Sequence, residues 1–141
     1  MLQRVQSLYL LLAAAALGLL VLAPVPWQLL ALAVPSWLLL LMRLLGTVLA
    51  IGTVGMIFLY RQLARQRSLV VLAQIGVLLL TVVYFGGLYW GGALRVRTAE
   101  GILWDQLFWL ALPLVAYLFL MLARRGIEHD LALLRSMHRL R

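Results

Sequence analysis

Four runs of apolar residues, each long enough to cross a bilayer, decide what this chain can fold into. A hydrocarbon core about 30 Å thick takes roughly 20 helical residues, and the runs lie at about 5–23, 37–60, 69–90 and 102–123. No water reaches the backbone at that depth, so each run must satisfy its own hydrogen bonds as an α-helix. The apolar residues come in blocks rather than in alternation; they make up 66% of the 141 residues and give a mean hydropathy of +1.08. Soluble domains hold roughly 45–50%. The expected fold is therefore an all-α integral membrane protein, a single domain over 1–141, with four transmembrane helices in an up-down-up-down bundle. A short amphipathic helix is expected in the tail, 124–141, where Ile127, Leu131, Leu134 and Met137 recur at helical spacing.

The ends of the runs carry their own signals. Pro24, directly after Ala23, blocks a signal-peptidase site, so the first run reads as an uncleaved span. Trp27 to Val34, bracketed by Pro24, Pro26 and Pro35, is too short to cross and reads as an interfacial or loop segment. Arg43 leaves the start of the second span open. Tyr84, Phe85, Tyr89 and Trp90 read as an aromatic belt closing the third span, which Gly91 and Gly92 end, and Trp104, Asp105 and Trp109 open the fourth. Pro113 should kink that span.

All 12 basic residues are arginine, against 4 acidic ones, and they set the orientation. Arg4, Arg61, Arg65, Arg67, Arg124, Arg125, Arg135, Arg139 and Arg141 fall on one side; Arg43, Arg95 and Arg97 fall on the other. Positive charge stays inside, so both termini are expected in the cytoplasm of a bacterial inner membrane. There Arg61, Arg65, Arg67, Arg124, Arg125, Arg135, Arg139 and Arg141 would meet anionic lipid headgroups. Nucleic acid is not an expected partner, because no water-exposed domain carries the basic residues.

Chemistry is hard to find. Without cysteine there are no disulfides, thiolate metal sites or cysteine nucleophiles. His129 and His138 stand nine residues apart in the tail, on opposite faces of a helix, and do not suit one metal or haem. Within the spans Thr47, Thr53, Gln74 and Thr81 are the polar residues, expected to bond between helices or back to a helix carbonyl. No catalytic, cofactor-binding or metal residue is expected, and the chain does not read as an enzyme.

Two features remain as candidates. Arg43 and Asp105 lie at similar depth near the outer face and could pair, tying the second span to the fourth. Small residues at Gly46, Ala50, Gly52, Gly55, Gly87 and Gly91 allow close helix approach, within the monomer or against a partner.

The opening MLQRVQSLYLLLAAA, the central YRQLARQRSLVVLAQ and the closing ARRGIEHDLALLRSMHRLR resemble an uncharacterised family of small four-span membrane proteins from Bacteroidota. Its members begin Met-Ile-Gln-Arg-Ile-Gln and end Ser-x-x-Arg-Leu-Arg. The likeness is sharpest at Gln3, Arg4, Gln6, Arg67, Gly126, Ile127, Asp130, Leu134, Ser136, Arg139, Leu140 and Arg141. It implies the same fold and location and no function. The sequence is most consistent with a non-catalytic accessory or scaffolding subunit of a larger inner-membrane complex, its partners being lipids and other membrane subunits or a second copy of itself. The alternative is a small lipid- or solute-handling protein of the transport class.

Overall fold

A computed structural model describes residues 2–32, 34–59, 61–92, 97–102 and 104–139. Four of its helices are long and apolar enough to cross a membrane: α1 (Leu2–Leu22), α3 (Ser36–Ile57), α4 (Leu63–Trp90) and α5 (Trp104–Arg139). A short helix α2 (Pro24–Ala31) follows α1. Between α4 and α5, β1 (Arg97–Thr98) and β2 (Gly101–Ile102) pair antiparallel in a two-residue ribbon.

Each long helix turns one stripe inward, and the stripes share a spacing of four and three residues. On α1 the stripe is Gln6, Leu10, Ala13, Leu17 and Leu20; on α4 it is Gln66, Val70, Ala73, Val77, Leu80 and Tyr84. Buried positions on α3 are Met42, Gly46, Thr53 and Met56, and on α5 Ala116, Leu120, Ala123 and Ile127. A repeat of this kind keeps one seam of each helix facing its neighbours. Helix α1 packs on α3 and α5, and α4 packs on α3 and α5. That ring places α3 and α5 on one diagonal and α1 and α4 on the other.

In a bilayer, burial of hydrocarbon would not drive such a bundle together, since lipid is as apolar as a leucine core; close packing and interhelical hydrogen bonds would. Glycines supply the close approach. A Cβ built on Gly46 falls 2.8 Å from Val21 Cγ2 of α1, one on Gly87 falls 2.9 Å from Val34 Cγ1, and one on Gly76 falls 2.7 Å from Leu49 Cδ2. Helix α4 ends as its sequence suggests: Gly91 N–H reaches Gly87 O, and Gly92 takes the left-handed φ of 66° that a side chain disfavours.

Four expectations are corrected. The segment after Pro24 is a helix packed on the bundle, and Trp27 is 3% exposed instead of facing an interface. Pro24 has no N–H to give the carbonyl of Leu20 four residues back. The Trp27 indole supplies it, Nε1 donating to Leu20 O at 2.8 Å, and the indole is buried in the act. The separate amphipathic tail helix is absent: α5 continues unbroken through Pro113 to Arg139, with Ile127 buried and Leu131 half-buried against the core. The basic stretch 61–68 is not a loop throughout, since residues from Leu63 form the first turns of α4. Tyr84 likewise leaves the aromatic belt for the core, while Tyr89, Trp90, Trp37 and Trp104 are exposed.

Candidate functional site: a polar belt at one end of the bundle

The side-chain hydrogen bonds that join one long helix to another gather toward one end. Near the start of α1, Gln6 is 3% exposed, and its Nε2 donates to Asp130 Oδ2 on α5 at 2.6 Å. The two residues stand 124 apart in sequence. Gly126, one turn before Asp130, is where Gln6 lies: a Cβ there would fall 2.9 Å from Gln6 Cγ. At the start of α4, Gln66 Nε2 donates to the carbonyl of Met56 at the end of α3, 2.8 Å away. The α4–α5 side is closed by charge. Arg67 Nε and Arg124 Nε both donate to Glu128 Oε1, at 3.2 and 3.0 Å, and Arg124 Nη1 reaches Gln74 Oε1 at 3.5 Å. Every helix of the ring is thereby joined to a neighbour by a side-chain hydrogen bond at this end.

The electrostatics follow from two cations on one anion. The hydrogen bond from Arg124, helped by that from Arg67, holds the Glu128 carboxyl below its usual range. The triad is open to solvent, with side chains 37–45% exposed, so each pair stabilises by only about 0–1 kcal/mol. The Gln6–Asp130 bond is better sheltered. Asp130→Ala strands a buried amide donor and is expected to cost about 1–2 kcal/mol, whereas adding Gln6→Leu, which removes the donor too, should recover much of the loss. Denaturant titration of the two variants in detergent measures both; a double variant as weak as the single one would contradict the pairing.

The sequence candidates divide. Arg43 does not meet Asp105: its guanidinium lies over the Trp27 ring, 5.3 Å from the centroid, and the ion pairs among the described residues are Arg67–Glu128 and Arg124–Glu128. The physical reason is the ring order, which sets α3 and α5 across the diagonal. Gly46 and Gly87 face neighbouring helices, Ala50 is half-buried, and Gly52, Gly55 and Gly91 are exposed. Thr47, Thr53 and Thr81 bond the carbonyl four residues back. Arg4, Arg61, Arg65, Arg125, Arg135 and Arg139 are exposed. Arg95 and Arg141 lie outside the described residues.

Sequence reasoning missed Gln6, Gln66, Glu128 and Asp130 as a set. The usable signal was that Gln6 and Gln66 extend, at the heads of α1 and α4, the four-three repeat on which the buried apolar residues of those helices fall. A family described as Domain of unknown function (DUF4293) matches residues 2–140. The chain belongs to that family. No curated protein and no solved structure matches it. The DUF4293 match spans both halves of the belt, from Gln6 to Asp130.

Proposed function

We propose that this chain is a non-catalytic accessory or scaffolding subunit of a larger assembly in a bacterial inner membrane. On this reading it threads the bilayer up-down-up-down with both ends in the cytoplasm. The nine-to-three division of arginines supports that orientation, and the resemblance to Bacteroidota proteins supports the source.

The outer face of α3 carries the reading. Of the four long helices, α3 buries the smallest share of itself, and Gly52 and Gly55 lie on its exposed side among Val48, Ile51 and Val54, with nothing within 4 Å of either glycine's Cβ position. Another helix can approach such a strip to backbone distance. The polar groups support the same view: Gln6, Thr53, Gln66 and Gln74, buried among the described residues, each make a bond that holds this chain's own helices, although Gln66 Oε1 is left without a partner.

The chain has no cysteine, so Gly52→Cys gives a single reporter. In native membranes it is expected to crosslink to a partner subunit or to a second copy, and gentle detergent should release that complex intact. A variant that crosslinks to no protein, from a chain that purifies as a solitary monomer, would overturn the proposal.

A further inference from the structure

Two clefts lie in line along the seam between α4 and α5. At the belt end, Arg67, Glu128, Leu131, Ala132 and Arg135 line a cleft of about 240 Å³. Farther along, Val71, Gln74, Ile75, Leu78, Tyr117 and Arg124 line a groove of about 170 Å³. Helical register puts them in line. Arg67, Val71, Gln74 and Leu78 follow one another at four, three and four residues, and Arg135, Leu131, Glu128, Arg124 and Tyr117 descend α5 at four, three, four and seven. Each set is one stripe of its helix.

Charge and polarity change along that seam. Three guanidiniums, Arg67, Arg124 and Arg135, face one carboxylate, Glu128, which leaves a net charge of +2 at the belt end. Arg135 is exposed and makes no hydrogen bond or ion pair among the described residues. Apart from Gln74 and Arg124, the groove walls are Val71, Ile75, Leu78 and the ring of Tyr117. A cationic mouth leading to an apolar groove complements an amphiphile with an anionic head and a hydrocarbon chain.

We propose that the α4–α5 seam binds an anionic phospholipid, with its phosphate held by Arg67 and Arg135 and one acyl chain laid along Val71, Ile75, Leu78 and Tyr117. The site rests on the membrane-spanning reading above. Free phosphate and an acidic peptide would both use the mouth, but neither has use for the groove.

The test uses the full chain reconstituted in phosphatidylcholine vesicles that contain a phosphatidylglycerol bearing a photoreactive group on its acyl chain. Adducts are expected on residues 71–78 and at Tyr117. Unlabelled phosphatidylglycerol should compete, whereas phosphatidylcholine and inorganic phosphate should not. Near a membrane surface each arginine adds about 1 kcal/mol of attraction for anionic lipid, so Arg67→Gln with Arg135→Gln should cut labelling about tenfold or more. The matching lysine pair should retain most of it, which separates lost charge from lost folding. Arg65→Gln with Arg125→Gln removes as much charge away from the seam and should leave the labelling in place.

Adducts elsewhere, competition by phosphatidylcholine or by inorganic phosphate, or equal losses in the two glutamine pairs would each overturn the proposal. Insertion is read separately, in cells, from single cysteines at Glu100 and Ser136. An impermeant maleimide should reach Glu100→Cys from outside and Ser136→Cys only after lysis. Failure of that pattern removes the membrane reading itself, whereas failure of the lipid labelling alone removes only the site.

Discussion

Replacing Trp27 by alanine is expected to destabilise the bundle by about 3 kcal/mol, the cost of emptying a large, fully packed side chain from a site that closes only in part. In a thermal scan of the detergent-solubilised protein this should appear as a melting temperature lower by about 10 °C. The side chain has two roles beyond filling space. It bonds the Leu20 carbonyl that Pro24 leaves without a donor, and it carries the Arg43 guanidinium on its face. Trp27→Phe separates these roles from bulk. It keeps a ring for Arg43 but removes the N–H, and should cost about 1 kcal/mol, in the range of single hydrogen bonds within membrane bundles. Equal stability of Trp27→Phe and the parent would show that the bond to Leu20 contributes nothing.

A second large effect is expected at Gly46. A Cβ there would fall 2.8 Å from Val21 Cγ2, and that methyl sits on a β-branched side chain with little rotameric freedom. Gly46→Val must push α1 away from α3, with a loss of about 1–3 kcal/mol despite valine's better helix propensity. Gly52→Val, on the same helix but with open space at its Cβ position, should leave the isolated chain as stable as before or slightly more so. The comparison is made in detergent, by the denaturant needed to lose half of the native helix signal. Equal losses at the two positions would contradict the packing of α1 on α3.

How far the sequence anticipated this fold follows from what lipid does to the usual signals. Span-length apolar runs located all four long helices, because length against hydrocarbon thickness needs no knowledge of faces. Which face turns inward was hidden, since the exposed faces are as apolar as the core and leucine occurs on both. The inward stripes differ by size and polarity instead: Ala13, Gly46, Ala73, Ala116 and Ala123 sit inside, while Leu11, Ile51, Ile75 and Leu118 sit outside.

Short-range hydropathy failed at three particular places. Trp27 looked interfacial because nothing nearby shows that Pro24 creates a vacancy for its indole. The tail looked separate because charge begins at Arg124, yet Ile127 continues the buried stripe of α5 and carries the helix onward. Arg43 and Asp105 matched in depth, and depth alone cannot tell adjacent helices from diagonal ones. The belt was the least legible part, since Gln6 meets Asp130 only after the whole chain has folded back on itself.

That last pairing bears on how the protein is made. Helix α1 is synthesised well before α5, and one of its two packing surfaces waits for that helix. Until then Gln6 has no carboxylate to bond, and the α1 seam stays open to whatever surrounds it. A nascent chain that stops short of Asp130 would thus leave the Gln6 amide without the carboxylate it bonds in the folded chain. The ring cannot close before α5 has been made.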